Sequence, residues 1–257
     1  EYAKDRLQGR KVSEKNPGTP QVAIIEHADV RRMLLAQKAY SEGGMALCLY
    51  GARLMDDQHT HPDEEKRVGA GKLLDLLTPV IKAWPSEYGP KANDLAIQVY
   101  GGAGYTREYP VEQCWRDNRL NPIHEGTNGI QALDLLGRKI WQDQSHGLQL
   151  LMQEMQVDLE AATTGRCQQW ALSLSETLQQ AVKVTQILGK SLMSEDPDKV
   201  LANASCYLHL FGHIMVSWMW LRQANAAAQG LGSATTDDER SFYQGKLQAA
   251  QYFFHWE

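Results

Sequence analysis

Glycine and proline residues crowd into one stretch of the chain, residues 98–131, which also contains the carboxylate of Glu125. Such a composition predicts short helices joined by tight turns, and catalytic and binding residues are often found on connecting segments. Taken alone, the run Glu125-Gly126-Thr127 after a proline predicts a turn that leads into a helix, whose N-terminal dipole favours an acidic side chain. A carboxylate placed there can also act as a general base, because exclusion of water raises its pKa.

Other residues have the types that bind metal ions, but their spacing does not favour a metal site. The run His59-Thr60-His61 lies near several aspartates in a polar segment, and nothing else in the sequence converges on it. The run that begins at His124 starts like the zinc motif HExxH, but its fifth residue is asparagine. The four cysteines are Cys48, Cys114, Cys167 and Cys206. They form no CxxC pair, which is typical of reduced structural thiols, and we predict no metal.

The bulk composition is that of an ordinary folded protein. The 257 residues are 43% hydrophobic and 22% charged, and the chain is long enough for one large core or two smaller ones. The net charge of −5 argues against nucleic acid as the main partner, since phosphate binding favours a basic surface. We find no apolar run as long as a membrane span and no signal-peptide pattern. Both ends of the chain look cut, so we expect a fragment of a longer protein.

The elements that would position these residues are helices. Apolar residues recur at intervals of three and four through most of the chain, which predicts an all-α fold without strands. We place a first helical bundle at residues 1–140 and a second helical unit at residues 141–257. Within the first bundle, Pro79 predicts a kink or a fresh helix start, and the segment from Pro85 to Pro90 is expected to interrupt the helix.

Local signals mark helix ends in the second unit. Asp196-Pro197 predicts an N-cap followed by proline at the first helical position. The glycine-rich run 230–233 is expected to end the following helix. Thr236, with Glu239 three residues later, predicts a capping box that opens the last helix.

The stretch from Gln98 to Gln131 closely resembles the C-terminal signature of acyl-CoA dehydrogenases. In that family a Gln-x-x-Gly-Gly-x-Gly-aromatic segment leads through Glu-Tyr-Pro-Val-Glu and Arg-Asp to Ile-[Tyr/His]-Glu-Gly-Thr, and these parts stand here in that order and at that spacing. Residues 2–10 resemble the helix-end segment in which the family keeps an arginine and a glutamine near the flavin pyrophosphate. Residues 141–257 resemble the additional C-terminal helical domain of a larger branch of the family.

This resemblance implies α,β-dehydrogenation of an acyl-CoA thioester with FAD as cofactor. Glu125 occupies the position of the catalytic base, whose backbone N–H binds the thioester oxygen in the family, and Gly126 and Thr127 occupy cofactor-binding positions. Further matched positions contact the adenosine and pyrophosphate end of FAD from a neighbouring subunit, and these are Arg6, Gln98, Gly101 and Gly102. We therefore expect the Glu125 side chain to be shielded from solvent and to face a groove bordered by residues 98–104.

The resemblance also implies partners and leaves alternatives open. The electron acceptor would be electron-transfer flavoprotein, and the protein would be a homo-oligomer in the bacterial cytoplasm or the mitochondrial matrix. One alternative is the alkylation-response branch of the family, a flavoprotein that binds DNA, but residues 141–257 show no obvious lysine and arginine cluster, which that function predicts. The other is a purely structural helical scaffold, which would need neither Glu125 nor the glycines.

Overall fold

The computed structural model describes residues 1–14, 16–163 and 165–257, and helices dominate these ranges. The α-helices are α1 (Tyr2–Asp5), α2 (Ala28–Thr60), α3 (Glu64–Tyr100), α4 (Val111–Asn118), α5 (Asn128–Gly137), α6 (His146–Ala161), α7 (Gly165–Ser194), α8 (Pro197–Val200), α9 (Ala204–Ser233) and α10 (Asp237–Trp256). Short 3₁₀ helices occupy Ile24–Glu26, Gly101–Tyr105 and Leu201–Asn203, and the 3₁₀ segment Lys139–Ser145 is interrupted by non-helical backbone at residues 142–144. The all-α prediction is confirmed, since the β pairing found in the described ranges is one isolated bridge between Leu7 and Ala23.

Two long helices, α2 and α3, form the frame on which the candidate site is built. They are joined by residues 61–63 alone and pack against each other. Apolar residues of α2 that recur at helical spacing, among them Ala36, Leu47 and Leu54, are buried in the core that α2 shares with α3. Gly51 permits the close approach, because a Cβ atom there would lie 2.6 Å from the Cδ1 atom of Ile81.

Helix α3 runs without interruption although it contains three prolines. The expected break between Pro85 and Pro90 is therefore wrong, and Pro79 does not start a new helix. Each proline removes one helical hydrogen bond. Packing offsets this loss, because Pro79 and Pro90 are buried and Pro85 lies next to Gly44 of α2.

The helices after residue 145 share one apolar core with α2 and α3. Helix α9 lies at the centre of this core, where the indole N–H of Trp220 donates a 3.1 Å hydrogen bond to the carbonyl oxygen of Ala39. The indole N–H of Trp218 donates to the Asp158 carboxylate of α6 at 2.7 Å. Both halves of the chain therefore contribute to a single buried cluster, and the boundary at residue 140 stays a prediction.

The predicted helix ends of the second half are confirmed. The Asp196 carboxylate accepts a hydrogen bond from the backbone N–H of Asp198, with Pro197 at the start of α8. Helix α9 ends at the glycine-rich run as expected. The capping box of Thr236 and Glu239 is complete, since each side chain accepts a hydrogen bond from the other residue's backbone N–H.

One segment is more apolar than expected from the sequence. By length and composition, Pro197–Ser233 could cross a membrane, so the expectation that no apolar run is as long as a membrane span is wrong. In its most apolar window 44% of the residues are buried inside the fold. A buried core helix passes the same test of length and hydropathy, and α9 packs here against α2, α6, α7 and α10.

Candidate functional site

The predicted base lies on an irregular connection between α4 and α5, which we call the glutamate loop (residues 119–127). Glu125 has a φ of 53° and Gly126 a φ of 89°, so two successive residues adopt the left-handed conformation. That conformation is uncommon for a residue with a side chain and costs roughly 1–2 kcal/mol relative to an ordinary one. A glutamate is therefore held in a strained backbone at the position where the sequence predicts a catalytic base.

Hydrogen bonds from two neighbouring helices hold the glutamate loop in place. On α3, the Nζ atom of Lys82 donates to the carbonyl oxygens of Asn121 at 3.0 Å and of Gly126 at 2.6 Å. At the start of α5, the backbone N–H of Asn128 donates to the carbonyl oxygen of Pro122 at 3.2 Å. The loop is therefore closed on itself and tied to the long helix behind it.

The first turn of α5 follows directly from the loop and is capped by Thr127. The Thr127 hydroxyl accepts a hydrogen bond from the backbone N–H of Ile130 at 3.3 Å. Asn128 is anchored to α3, because its side-chain oxygen accepts a 3.0 Å hydrogen bond from the Ser86 hydroxyl and its side-chain nitrogen donates to the Glu87 carboxylate at 3.3 Å. Lys82 and Ser86, one turn apart on α3, thus fix the loop and the helix that follows it.

The charges of Lys82 and Glu125 interact. Burial lowers the pKa of the Lys82 ammonium, and the negative charge of Glu125 opposes that shift without cancelling it. The carboxylates that face this ammonium are too far away to form an ion pair in the described ranges, since Lys82 is absent from the pairs within 4.0 Å. Sequence reasoning missed Lys82, because its contacts lie 39 and 44 residues away along the chain.

A second predicted region lies at the C-terminal end of α3, and we call it the glycine turn (residues 98–105). It is supported by packed aromatic rings: Tyr2 and Tyr100 are stacked with 4.2 Å between their ring centroids, and Tyr109 is tilted against Tyr100 with 4.9 Å between theirs. The Tyr2 hydroxyl also donates to the carbonyl oxygen of Tyr100 at 3.3 Å. These contacts bring α1, and with it the exposed Arg6 that follows, to the end of α3 that carries Gln98.

The three glycine positions of this turn differ in whether they could accept a larger residue. Gly101 has a φ of 62°, which favours glycine. A Cβ atom on Gly104 would lie 2.8 Å from the carbonyl oxygen of Ile97, so a larger residue there would collide with the backbone. Gly102 has neither a positive φ nor any atom within 4 Å of a would-be Cβ atom, and its backbone is open to solvent.

The predicted site residues form two groups that lie apart within this chain. Lys82, which contacts the glutamate loop, precedes Gln98 by sixteen residues on the continuous helix α3, a distance of about 24 Å along the helix axis. Gln98, Gly101 and Gly102 belong to the glycine turn, and Arg6 lies at the same end of α3. Gly126 and Thr127 directly follow Glu125. The expectation that Glu125 faces a groove bordered by residues 98–104 is therefore wrong for this chain.

The expectation that Glu125 is shielded from solvent is also wrong within this chain, because its side chain is exposed. Large apolar side chains around it are exposed as well, including Leu120 at 56%, Ile123 at 53% and Ile130 at 56% of their full surface. Apolar surface next to a strained functional loop is typical of a face that another part of a protein or a ligand covers.

Two of the other candidate metal ligands, His61 and Asp63, form hydrogen bonds at the start of α3. The imidazole of His61 accepts a hydrogen bond from the backbone N–H of Asp63, whose carboxylate in turn caps α3 by accepting from the backbone N–H of Glu65. Among the residues that the structure describes, no group of three or more histidine, cysteine, aspartate or glutamate side chains could hold a metal ion.

Two family models match the chain, and between them they cover most of it. Residues 15–141 match the acyl-CoA dehydrogenase C-terminal domain, and residues 151–257 match a domain described as acetyl-CoA dehydrogenase C-terminal like. The chain therefore belongs to the acyl-CoA dehydrogenase family and contains its C-terminal helical domains. The resemblance found in the sequence is confirmed.

Individual relatives agree with this assignment. The broad-specificity linear acyl-CoA dehydrogenase of Mycobacterium tuberculosis is 35% identical over 263 residues, which cover 98% of this chain and 43% of the relative. The 3-methylmercaptopropionyl-CoA dehydrogenase of Ruegeria pomeroyi is 32% identical over 260 residues, which cover 98% of this chain and 42% of the relative. The chain thus spans about two-fifths of the length of the curated relatives it matches.

Solved structures share the fold at lower sequence identity. The ACDH-11 protein of Caenorhabditis elegans in complex with C11-CoA aligns with a TM-score of 0.79 at 17% identity, covering all of this chain and 39% of that one. An acyl-CoA dehydrogenase of Bacillus anthracis complexed with FAD aligns with a TM-score of 0.71 at 17% identity, covering 98% of this chain and 42% of that one. These similarities confirm the all-helical arrangement.

Proposed function

We propose that the protein to which this chain belongs oxidises an acyl-CoA thioester to the corresponding 2-enoyl-CoA, with Glu125 as the base. The observation that carries the proposal is the strained left-handed backbone of Glu125, held by α3 and followed by Gly126. Relatives that cover the whole chain carry acyl-CoA dehydrogenase names, which supports the same reaction.

The proposed reaction assigns each group on the chain one task. The Glu125 carboxylate takes the proton from the carbon next to the thioester carbonyl, and a hydride leaves the next carbon for the cofactor. The backbone N–H of Glu125 donates to the thioester oxygen and stabilises the charge that develops there. FAD, when bound, supplies the hydride acceptor. Because Glu125 is exposed here, substrate and protein regions outside this chain must exclude water from it, and the apolar residues Leu120, Ile123 and Ile130 offer the surface for them.

The glycine turn fits the adenosine and pyrophosphate end of FAD. Its glycines present open backbone at Gly101 and Gly102, where no atom lies within 4 Å of a would-be Cβ atom, and Gln98 and Arg6 are exposed beside them. Its distance of about 24 Å from Lys82 along α3 supports a cofactor that reaches it from a neighbouring subunit of a homo-oligomer. We propose electron-transfer flavoprotein as the electron acceptor, and the bacterial cytoplasm or the mitochondrial matrix as the location.

The test compares the intact wild-type protein with the Glu125→Gln variant, both loaded with FAD, against a panel of acyl-CoA thioesters. We expect wild type to bleach its flavin and to turn over with an artificial electron acceptor. Glu125→Gln should lower the bleaching rate on the order of a thousandfold, because the amide cannot accept the proton. Glu176→Gln, which changes an exposed carboxylate of α7 outside the stretch from Gln98 to Gln131, is the matched control and should behave as wild type.

Two results would contradict the proposal. One is a wild-type flavin that no acyl-CoA bleaches, and the other is a Glu125→Gln variant that bleaches as fast as wild type. Retention of DNA by a protein without bleaching would instead favour the alkylation-response type of function.

A further inference from the structure

Lys82 is the side chain on α3 that reaches both sides of the predicted base. Its Nζ atom donates to the carbonyl oxygens of Asn121 and Gly126, which flank residues 122–125. These two bonds span the part of the loop that contains the left-handed Glu125. A single ammonium group thus fixes the entry and the exit of the strained segment.

The position of Lys82 on a long, well-packed helix makes it a rigid anchor. Its neighbours Ala83 and Trp84 are buried in the core, so the helix cannot shift with the loop. The loop itself is exposed, and exposed connecting segments are the mobile parts of a fold unless contacts restrain them. The restraint on the Glu125 backbone therefore comes largely from a residue that the reaction does not touch.

The Lys82 ammonium is held by neutral partners. It is bonded to two backbone carbonyl oxygens, and among the described residues no carboxylate lies within 4.0 Å of it. Burial lowers the pKa of Lys82, and the charge of Glu125 opposes that shift. Titratable groups in or beside the loop include Arg119, His124, which contacts the Leu120 carbonyl, and Glu87, which accepts from Asn128.

We propose that Lys82 is a positioning residue for Glu125, which holds the glutamate loop in the conformation for proton abstraction. This inference rests on the proposed role of Glu125 as the base. Lys82 is assigned no contact with substrate or cofactor, because its polar contacts are with backbone carbonyls of the loop.

The activity test uses the intact FAD-loaded protein with Lys82→Met, which removes both the charge and the donors, and Lys82→Arg, which keeps both. We expect Lys82→Met to lower kcat by tenfold to on the order of a hundredfold and to leave KM within about twofold of wild type, as for lost positioning. Lys82→Arg should restore most of kcat.

A second readout does not depend on activity. Amide hydrogen exchange of peptides covering residues 121–128 should be about tenfold faster in Lys82→Met, while peptides covering the glycine turn stay unchanged. Lys66→Met, which removes an exposed lysine of the same helix, is the matched control and should leave both segments and kcat unchanged. Lys82→Gln serves in place of Lys82→Met if the methionine variant fails to fold.

The possible outcomes separate the two proposals. Unchanged exchange at residues 121–128 in Lys82→Met would overturn the inference whatever the activity. Faster exchange with an unchanged kcat would overturn it as well, because the loop would then need no positioning. Failure of the proposed function shows differently, as a wild-type protein whose flavin no acyl-CoA bleaches, and it would overturn the catalytic part of the inference.

Discussion

The glycine turn and the glutamate loop are both exposed segments at helix ends, and both contain left-handed backbone, but they accommodate it in different ways. In the glycine turn the residue with positive φ is Gly101, which adopts that conformation without strain. In the glutamate loop both Glu125 and Gly126 have a positive φ. The left-handed conformation of the glutamate costs roughly 1–2 kcal/mol. Backbone strain is thus present in the glutamate loop, where the proposed base must be a glutamate. It is absent at Gly101 of the glycine turn, where the proposed contact needs only exposed backbone.

The two regions also differ in how they are held. Packed tyrosine rings support the glycine turn, whereas the described residues leave open the space that a Cβ atom on Gly102 would occupy. Hydrogen bonds from Lys82 and the cap at Thr127 hold the glutamate loop. We interpret the first region as a platform for a ligand and the second as a device that fixes one carboxylate. The following predictions test this contrast, beginning with the largest effect.

Within the glycine turn, Gly104 and Gly102 should separate packing from ligand binding. Gly104→Val places side-chain atoms against the Ile97 carbonyl, where even a Cβ atom would lie at 2.8 Å, and should lower the free energy of unfolding by about 3 kcal/mol. Gly102→Ala meets no neighbour, so the unfolding free energy should stay within about 0.5 kcal/mol of wild type. The alanine should instead weaken FAD binding by about tenfold, or about 1.4 kcal/mol.

Urea unfolding of the flavin-free protein measures the first quantity, and titration of the apoprotein with FAD measures the second. Equal stability losses in both variants would show that the turn is only a packing feature. Unchanged FAD affinity in Gly102→Ala would remove the glycine turn from the cofactor site and leave the glutamate loop as the sole predicted contact.

Sequence patterns predicted local features of the chain but not the relation between the two regions. The capping box at Thr236, which lies in neither region, depends on four consecutive residues, and the tight turn at the end of α3 follows from its glycines. The separation of Glu125 from Gln98 depends on α3 staying helical through Pro85, which burial decides and local propensity does not.

The anchoring of the glutamate loop was equally beyond a local reading. Lys82 lies in a helical pattern with nothing to mark it, and its bonds depend on how the connection after α4 folds back over α3. The exposure of Glu125 could not be foreseen either, because burial of a loop is set by what packs over it and the chain spans two-fifths of its relatives. The sequence identified Glu125 as the candidate base, but it did not predict which residues surround the Glu125 side chain.

Substitutions of Thr127 test whether this residue of the glutamate loop stabilises the fold, contacts the cofactor or does both. Thr127→Ala removes the cap on α5 and should lower the unfolding free energy by about 1 kcal/mol, whereas Thr127→Ser keeps the hydroxyl and should cost little. Thr236→Ala is the matched control, since it removes a cap of the same type on α10, far along the chain from either region. If Thr127 also contacts FAD, Thr127→Ala should weaken FAD binding and Thr236→Ala should not. Equal FAD affinities in the two alanine variants would reduce Thr127 to a helix cap.

The smallest expected effect tests the difference in backbone strain between the glutamate loop and the glycine turn. Glu125→Gly removes a side chain from left-handed backbone, and its gain of roughly 1–2 kcal/mol is partly offset by the greater freedom of glycine in the unfolded chain. The unfolding free energy of the flavin-free protein should therefore rise by about 0.5 kcal/mol although catalysis is lost. The reverse exchange, Gly101→Ala, should lower it by about 1 kcal/mol. A destabilised Glu125→Gly variant would mean that contacts of the glutamate side chain, and not the chemistry of a base, keep this residue in its strained conformation.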